Sequence, residues 1–401
     1  MFLYFQPIYL QQMGADPLHI GVILGGFGVM MTITHIPAGY LSDRIGRKPL
    51  IIFAWFLGII ATWTMALANS LLLLVIGFFL YGVTIFVLSP LYSYITAARG
   101  KLSVGRTLTL ISASFNLGAV LGPWLGGMIG EQMGLRQTYY VAAWIFMASS
   151  IVIMFIRSQP IEQQTATASG AGWLLNQRAY IFLGIIFLAM FAMFLPQPLS
   201  PNFMQYQRNL DLSEIGQLYS ITGIGVVALS LILGQLPART GFILGQVAVG
   251  IFTLLIMRAT SLPWYFLGFF LLGGYKTARS LALAQVRQMV DQARMGIAYG
   301  LTETINSTAI ILAPVLAGFL YTLNPHWMYL VAAILIAISL LASIRYSPGP
   351  MSVPIEQSQA GTLPLPLHNP STPPVGSIAQ QQSLIGQIDS NPISTQERGE
   401  L

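Results

Sequence analysis

Apolar runs of about twenty residues, separated by short polar breaks, recur along almost the whole chain. They cover residues 18–41, 49–68, 71–96, 107–129, 138–156, 179–200, 214–236, 243–260, 263–285, 297–320 and 327–344. At 1.5 Å per residue, such a run reaches roughly the 30 Å of a bilayer's hydrocarbon core. The runs are continuous rather than alternating, which argues for helices and against a β-barrel. Residues 2–13 are also apolar but too few to cross. The pattern predicts an all-α polytopic membrane protein with eleven full spans behind a short first one. Two stretches fall outside it. Residues 158–178 are rich in Gln, Thr and Ala, with Gly170 and Gly172, and read as a linker between residues 1–157 and 179–346. Residues 347–401 turn to Pro, Gln and Ser with few aromatics, a tail expected to be disordered.

Composition agrees with this reading and narrows the function. The 401 residues are 55% hydrophobic and 7% charged, against about 45–50% and about 25% in a soluble domain. The net charge of +6 is spread over short loops, so no basic patch offers itself to nucleic acid. Its use is orientation. Loops after even-numbered spans carry twelve basic residues: Arg44, Arg47, Lys48, Arg99, Lys101, Arg106, Arg157, Arg178, Arg239, Arg287, Arg294 and Arg345. The opposite loops carry three: Arg136, Arg208 and Arg258. By the positive-inside rule, the first set, the linker and the C-terminal tail are cytoplasmic. Cysteine is absent, which removes disulfides and thiol chemistry. His19, His35, His326 and His368 are scattered without metal spacing, and the serines lack a matched His and acid. No enzyme, metal site or cofactor is expected. The glycines of Gly25-Gly26-Phe27-Gly28 lie inside a span and read as helix packing, not a phosphate loop. The start shows no cleavable signal with a basic leader.

One polar stretch organises the first half: Gly39-Tyr40-Leu41-Ser42-Asp43-Arg44-Ile45-Gly46-Arg47-Lys48. Gly39 lets backbones approach, and Gly46 permits a positive φ in a tight turn. Asp43 closes the preceding run, and Arg44, Arg47 and Lys48 fall in the turn. A polar loop obeying the positive-inside rule would account for the cations, but not for the acid and glycines at these spacings. The stretch resembles the signature loop of the major facilitator superfamily, G-x-L-[AS]-D-R-x-G-R-[RK], at every defined position. The resemblance implies twelve helices in two pseudo-twofold bundles of six, the first helix here truncated to its outer half. It also implies that Asp43 meets the cytoplasmic start of span 11, near Arg294–Gly296, and latches the two halves there.

An internal repeat fits two such halves. Shifted by 195 residues, Gly39–Gly46 overlies Gly234-Gln235-Leu236-Pro237-Ala238-Arg239-Thr240-Gly241, and Ile20-Gly21 overlies Ile215-Gly216. At a shift of 191, Gly77-Phe78-Phe79-Leu80 repeats as Gly268-Phe269-Phe270-Leu271, and Gly122-Pro123 overlies Ala313-Pro314. Parallel repeats of this kind hold substrate near the membrane midplane between them.

Span 5 contains Gly118, Gly122, Pro123, Gly126 and Gly127. Gly118 and Gly122 share a face that admits a second helix closely, and Pro123 removes a backbone hydrogen bond. A tightly packed helix is the minimum reading. The pattern also resembles G-x-x-x-G-P-x-x-G-G of drug/proton antiporters in the same superfamily. A looser copy, Ala309, Ala313, Pro314, Ala317 and Gly318, lies in span 11. One departure weakens the antiport reading. Such exporters often carry an Arg four residues before a glycine of span 4, and here Phe78 precedes Gly82.

Lys276, Arg279 and Glu303 are charges inside spans, at roughly 16, 12 and 14 Å from the cytoplasmic edge. Ionisable groups at that depth face a cavity or a partner. Arg279 and Glu303 suit a structural pair, and Lys276 a substrate or coupling group. The resemblance implies a monomeric secondary active transporter of the plasma membrane that works by alternating access. A proton-coupled exporter of amphipathic compounds fits best, its partners being the substrate, the coupling proton and lipid. A facilitator of a small anionic metabolite is the alternative that Lys276 and Arg279 favour. A receptor or scaffold that no longer transports is the third reading, and the intact signature stretch opposes it.

Overall fold

The computed structural model describes residues 1–157, 177–290 and 295–347, without the side chains of residues 35–40, 42, 43, 89, 178 and 295–297. Residues 158–176 of the expected linker, the tail beyond Ser347 and Arg294 therefore lie outside the described residues. What is described is helical. After a short turn at Phe2–Tyr4 come α1 (Gln6–Gln12), α2 (Pro17–Ile45), α3 (Arg47–Leu67), α4 (Leu71–Thr84), α5 (Leu88–Ala97), α6 (Val104–Met133) and α7 (Leu135–Met154). Then follow α8 (Gln177–Phe194), α9 (Ser200–Arg208), α10 (Leu212–Leu233), α11 (Ala238–Arg258), α12 (Leu262–Leu272), α13 (Gly274–Gln288), α14 (Met295–Leu323) and α15 (Pro325–Tyr346).

Among the described residues, nine stretches are long and apolar enough to cross a membrane, α4 and α5 counting together as one. The expected spans 7 and 10 differ from the apolar runs. The run 179–200 stops as helix at Phe194, just before Pro196 and Pro198, because proline cannot donate to the helical ladder. The run 263–285 divides at Gly273 into α12 and α13. The second piece carries Lys276 and Arg279, so it is helical without being apolar throughout.

Helix starts are written locally. The Asp16 carboxylate accepts the His19 backbone N–H at 2.9 Å ahead of α2. Asp211, one repeat later, caps α10 in a reciprocal box with Glu214. Such caps satisfy N–H groups that no helical carbonyl reaches. Gly46 (φ 89°) forms the one-residue break between α2 and α3. The polar stretch is therefore not a loop, as expected, but two helix ends. Arg44 closes the last turn of α2, and Arg47 and Lys48 open α3.

Packing sorts the helices into two sets. In the first, α3 lies against α4 and α7, and α2 against α4. In the second, α11 lies against α12, α13 and α15, α10 against α12, and α8 against α14 and α15. The sets meet chiefly where α6 packs on α10 and α2 on α14. The outer faces are apolar: Leu72, Val152, Leu231 and Leu341 are each at least 65% exposed. A water-facing surface would not tolerate that, whereas acyl chains solvate it.

Candidate substrate cavity

The two crossings between the sets are built alike. On α10, a Cβ added at Gly216 would lie 2.5 Å from the Pro123 carbonyl oxygen of α6, and one added at Gly127 would collide with the Leu212 carbonyl. On α14, a Cβ at Gly318 would lie 2.5 Å from the Pro17 carbonyl oxygen of α2, and one at Gly21 would collide with Pro314. Only hydrogen fits between these backbones. Pro314 and Gly318 stand one repeat after Pro123 and Gly127, and Pro17 and Gly21 one repeat before Leu212 and Gly216.

Further ties lie at the same end of the molecule. Glu131 at the end of α6 accepts the Leu212 N–H at 2.9 Å, and the Ser220 hydroxyl donates to the Val120 carbonyl at 2.6 Å. The Asn202 amide of α9 donates to the Pro7 carbonyl at 3.1 Å and to Gln11 Oε1 at 2.5 Å, binding α1. Gly122 and Gly126 receive Met1 and Phe5. Gly118 does not join a helix contact as expected: a Cβ there would meet nothing within 4 Å. Toward the other end, α6 stands clear. Leu108, Leu110, Phe115 and Leu117 are 38–60% exposed, and the polar Thr109, Ser112 and Ser114 between them are exposed as well.

Between the sets lies a cavity of about 80 Å³. Tyr4, Asn116 and Ala119 line it from the first set, and Gln197, Tyr219, Thr222, Gly223, Val226, Leu272, Tyr275 and Lys276 from the second. The Tyr4 and Tyr219 rings meet across the join, centroids 4.6 Å apart. Lys276 thus faces the cavity. Arg279, one turn along α13, pairs with Glu303 of α14 instead. The arginine-to-phenylalanine departure is filled: Phe78 is buried and stacks on Phe27 with centroids 4.2 Å apart. In the signature stretch the Gly39 and Asp43 side positions are outside the described residues, and Lys48 lines an open apolar groove with Pro49, Ile52, Phe53 and Phe56. Sequence reasoning missed Tyr4, Asn116, Gln197, Tyr219 and Tyr275. Asn116 had a usable signal, an amide in the middle of an apolar run. The tyrosines had none, since aromatics are ordinary in such helices.

Two sets of membrane-crossing helices that close around a cavity at one end are the arrangement expected of a carrier. The chain belongs to the Major Facilitator Superfamily, whose family model matches residues 1–236 and again 182–392. It is 22% identical to the class H tetracycline resistance protein of Pasteurella multocida over 81% of this chain and 86% of that one. It is also 22% identical to multidrug resistance protein 2 of Bacillus subtilis, over 83% and 88%. An uncharacterized MFS-type transporter of Methanocaldococcus jannaschii is 25% identical over 61% of this chain, which spans 65% of that relative's length. Among solved structures, a point mutant of the nucleoside transporter NupG superposes with a TM-score of 0.76 at 14% identity, covering 86% of this chain and 95% of the other.

Proposed function

We propose that this chain exports an amphipathic small molecule in exchange for protons by alternating access, residues 1–157 and 179–346 rocking against each other around the cavity. The observation that carries this reading is the cavity itself, walled by both halves and closed at one end by glycine-against-backbone contacts. The names of the relatives, resistance proteins for tetracycline and for multiple drugs, support export. The bias of basic residues supports placing the closed end outside and the exposed half of α6 toward the cytoplasm. With Phe78 in span 4, proton handling falls to ionisable groups of the second half, Lys276 and Glu303. The plasma membrane is the setting, the monomer is the working unit, and Asp43 latches the cytoplasmic side in the outward-open state.

The test is direct. Proteoliposomes holding a pH gradient and an internal pH dye are given a panel of amphipathic compounds. A substrate discharges the gradient through the parent protein, while protein-free vesicles and the Asp43→Asn variant respond at under a tenth of that rate. Counterflow of labelled substrate without proton movement would remove the coupling and keep the carrier. Absence of both would remove transport.

A further inference from the structure

Only one of the residues lining the cavity is charged, Lys276, and none is acidic. Arg279 does not share its role, because Glu303 already neutralises it. Among the described residues no carboxylate pairs with Lys276. Among the residues lining the cavity, Lys276 therefore supplies the single positive charge, and its side chain is exposed. A cationic ligand is repelled there and an anion attracted.

A second group points the same way. Tyr275, the neighbour of Lys276, is only 7% exposed, and its hydroxyl has no hydrogen-bond partner. Buried hydroxyls are almost always satisfied, so an unpartnered one in a residue that lines the cavity leaves a hydrogen bond to be filled. Lys276 offers an ammonium and Tyr275 a neutral O–H from successive positions of α13, and both residues line the cavity. A carboxylate uses both, one oxygen taking the ion pair and the other the hydrogen bond. A phosphate or sulfate dianion would leave its second charge uncompensated, since no arginine lines the cavity. The remaining wall is aromatic or neutral. The rings of Tyr4 and Tyr219, with Leu272, Val226 and Ala119, suit a flat apolar body.

We infer that the cavity selects amphipathic monoanions, carboxylates on an aromatic or apolar body, held by Lys276 and Tyr275 against the Tyr4–Tyr219 pair. This deepens the carrier reading and rests on it. Lys276 and Tyr275 are then specificity residues, and the neutral amides of Asn116 and Gln197 complete a site without an acid.

The full chain, purified in detergent, is unfolded thermally while tryptophan fluorescence is followed. The probes are 3-phenylpropanoate, 3-phenylpropanamide, 3-phenylpropylammonium and phenylphosphonate. The carboxylate raises the unfolding temperature saturably, the amide and the ammonium do not, and the phosphonate does so only below the pH at which its second proton leaves. Lys276→Gln abolishes the response, Lys276→Arg retains the preference for the anion, and Tyr275→Phe weakens apparent affinity about tenfold, as loss of one charge-assisted hydrogen bond does. The unliganded unfolding temperatures of the variants serve as the folding control. An equal response to the ammonium, an undiminished carboxylate response in Lys276→Gln, or silence to the whole series overturns the assignment. Carboxylate binding with no flux in proteoliposomes would sink the carrier and leave the site. Flux of amphipathic cations without carboxylate binding would sink the site and leave the carrier.

Discussion

Glu303 neutralises Arg279, but the pair is not sealed away: the two side chains are 58% and 36% exposed. A sealed pair would lose several kcal/mol on removal of one partner, whereas an open one is worth about 1 kcal/mol or less. The neighbourhood of Lys276 makes the two removals unequal. Glu303→Gln leaves two like charges three residues apart on α13, which repel. Arg279→Gln leaves one cation and one anion. Unfolding temperatures should therefore fall most for Glu303→Gln, less for Arg279→Gln, and in the double variant match Arg279→Gln. Equal losses in the two single variants would contradict this.

Asp16 offers a second test on single residues. The His19 backbone N–H, and after it the His19 ring, hold the Asp16 carboxyl below the usual carboxylate range. A depressed pKa stabilises the fold above the unfolded value and ceases to do so as pH falls through the folded one. Asp16→Ala should then cost about 0.5–1 kcal/mol, as lost N-caps do. The gap in unfolding temperature from the parent should be flat from pH 8 to 5 and narrow only below about pH 4. A gap that closed between pH 7 and 5 would contradict this.

Among the helices, packing in lipid is not driven by hydrophobicity, since acyl chains are as apolar as leucine. Close backbone approach and hydrogen bonds must do it instead: glycines bring the backbones together at α6–α10 and α2–α14, and Ser220 adds a hydrogen bond at α6–α10. Gly216→Val has no room beside Pro123, so α6 and α10 must part at the closed end. A cysteine placed at Ser220, whose hydroxyl bonds Val120 across this crossing, should then react with a small maleimide at least tenfold faster. Gly184→Val is the control, because a Cβ there meets nothing within 4 Å. Acceleration in both variants, or in neither, would remove the crossing as the closure.

For the whole molecule, charge asymmetry predicts an orientation that is testable without further structure. The chain has no cysteine, so Thr165→Cys introduces a single label site in the linker. It should resist a membrane-impermeant maleimide in intact cells and react once the cells are permeabilised. Labelling in intact cells would invert the molecule and turn the cavity's open side outward.

The sequence by itself determined most of the membrane-crossing helices and the turn at Gly46. Insertion depends on about twenty consecutive residues, and capping and turns on three or four. The Gly46 break and most spans were legible for that reason. It also marked Lys276, Arg279 and Glu303, since charge within an apolar run is visible locally. The repeat showed that Gly21 matches Gly216, and Pro123 matches Pro314. It did not show that matched glycines face each other's partners across the molecule, because repetition carries no distance. Only the tertiary structure decided that, and with it which charges pair and which remain alone. Tyr4, Asn116, Gln197, Tyr219 and Tyr275 sit on five separate segments. Apart from Asn116, each is unremarkable beside its own neighbours, and they line one cavity only because close packing between distant helices brings their faces together.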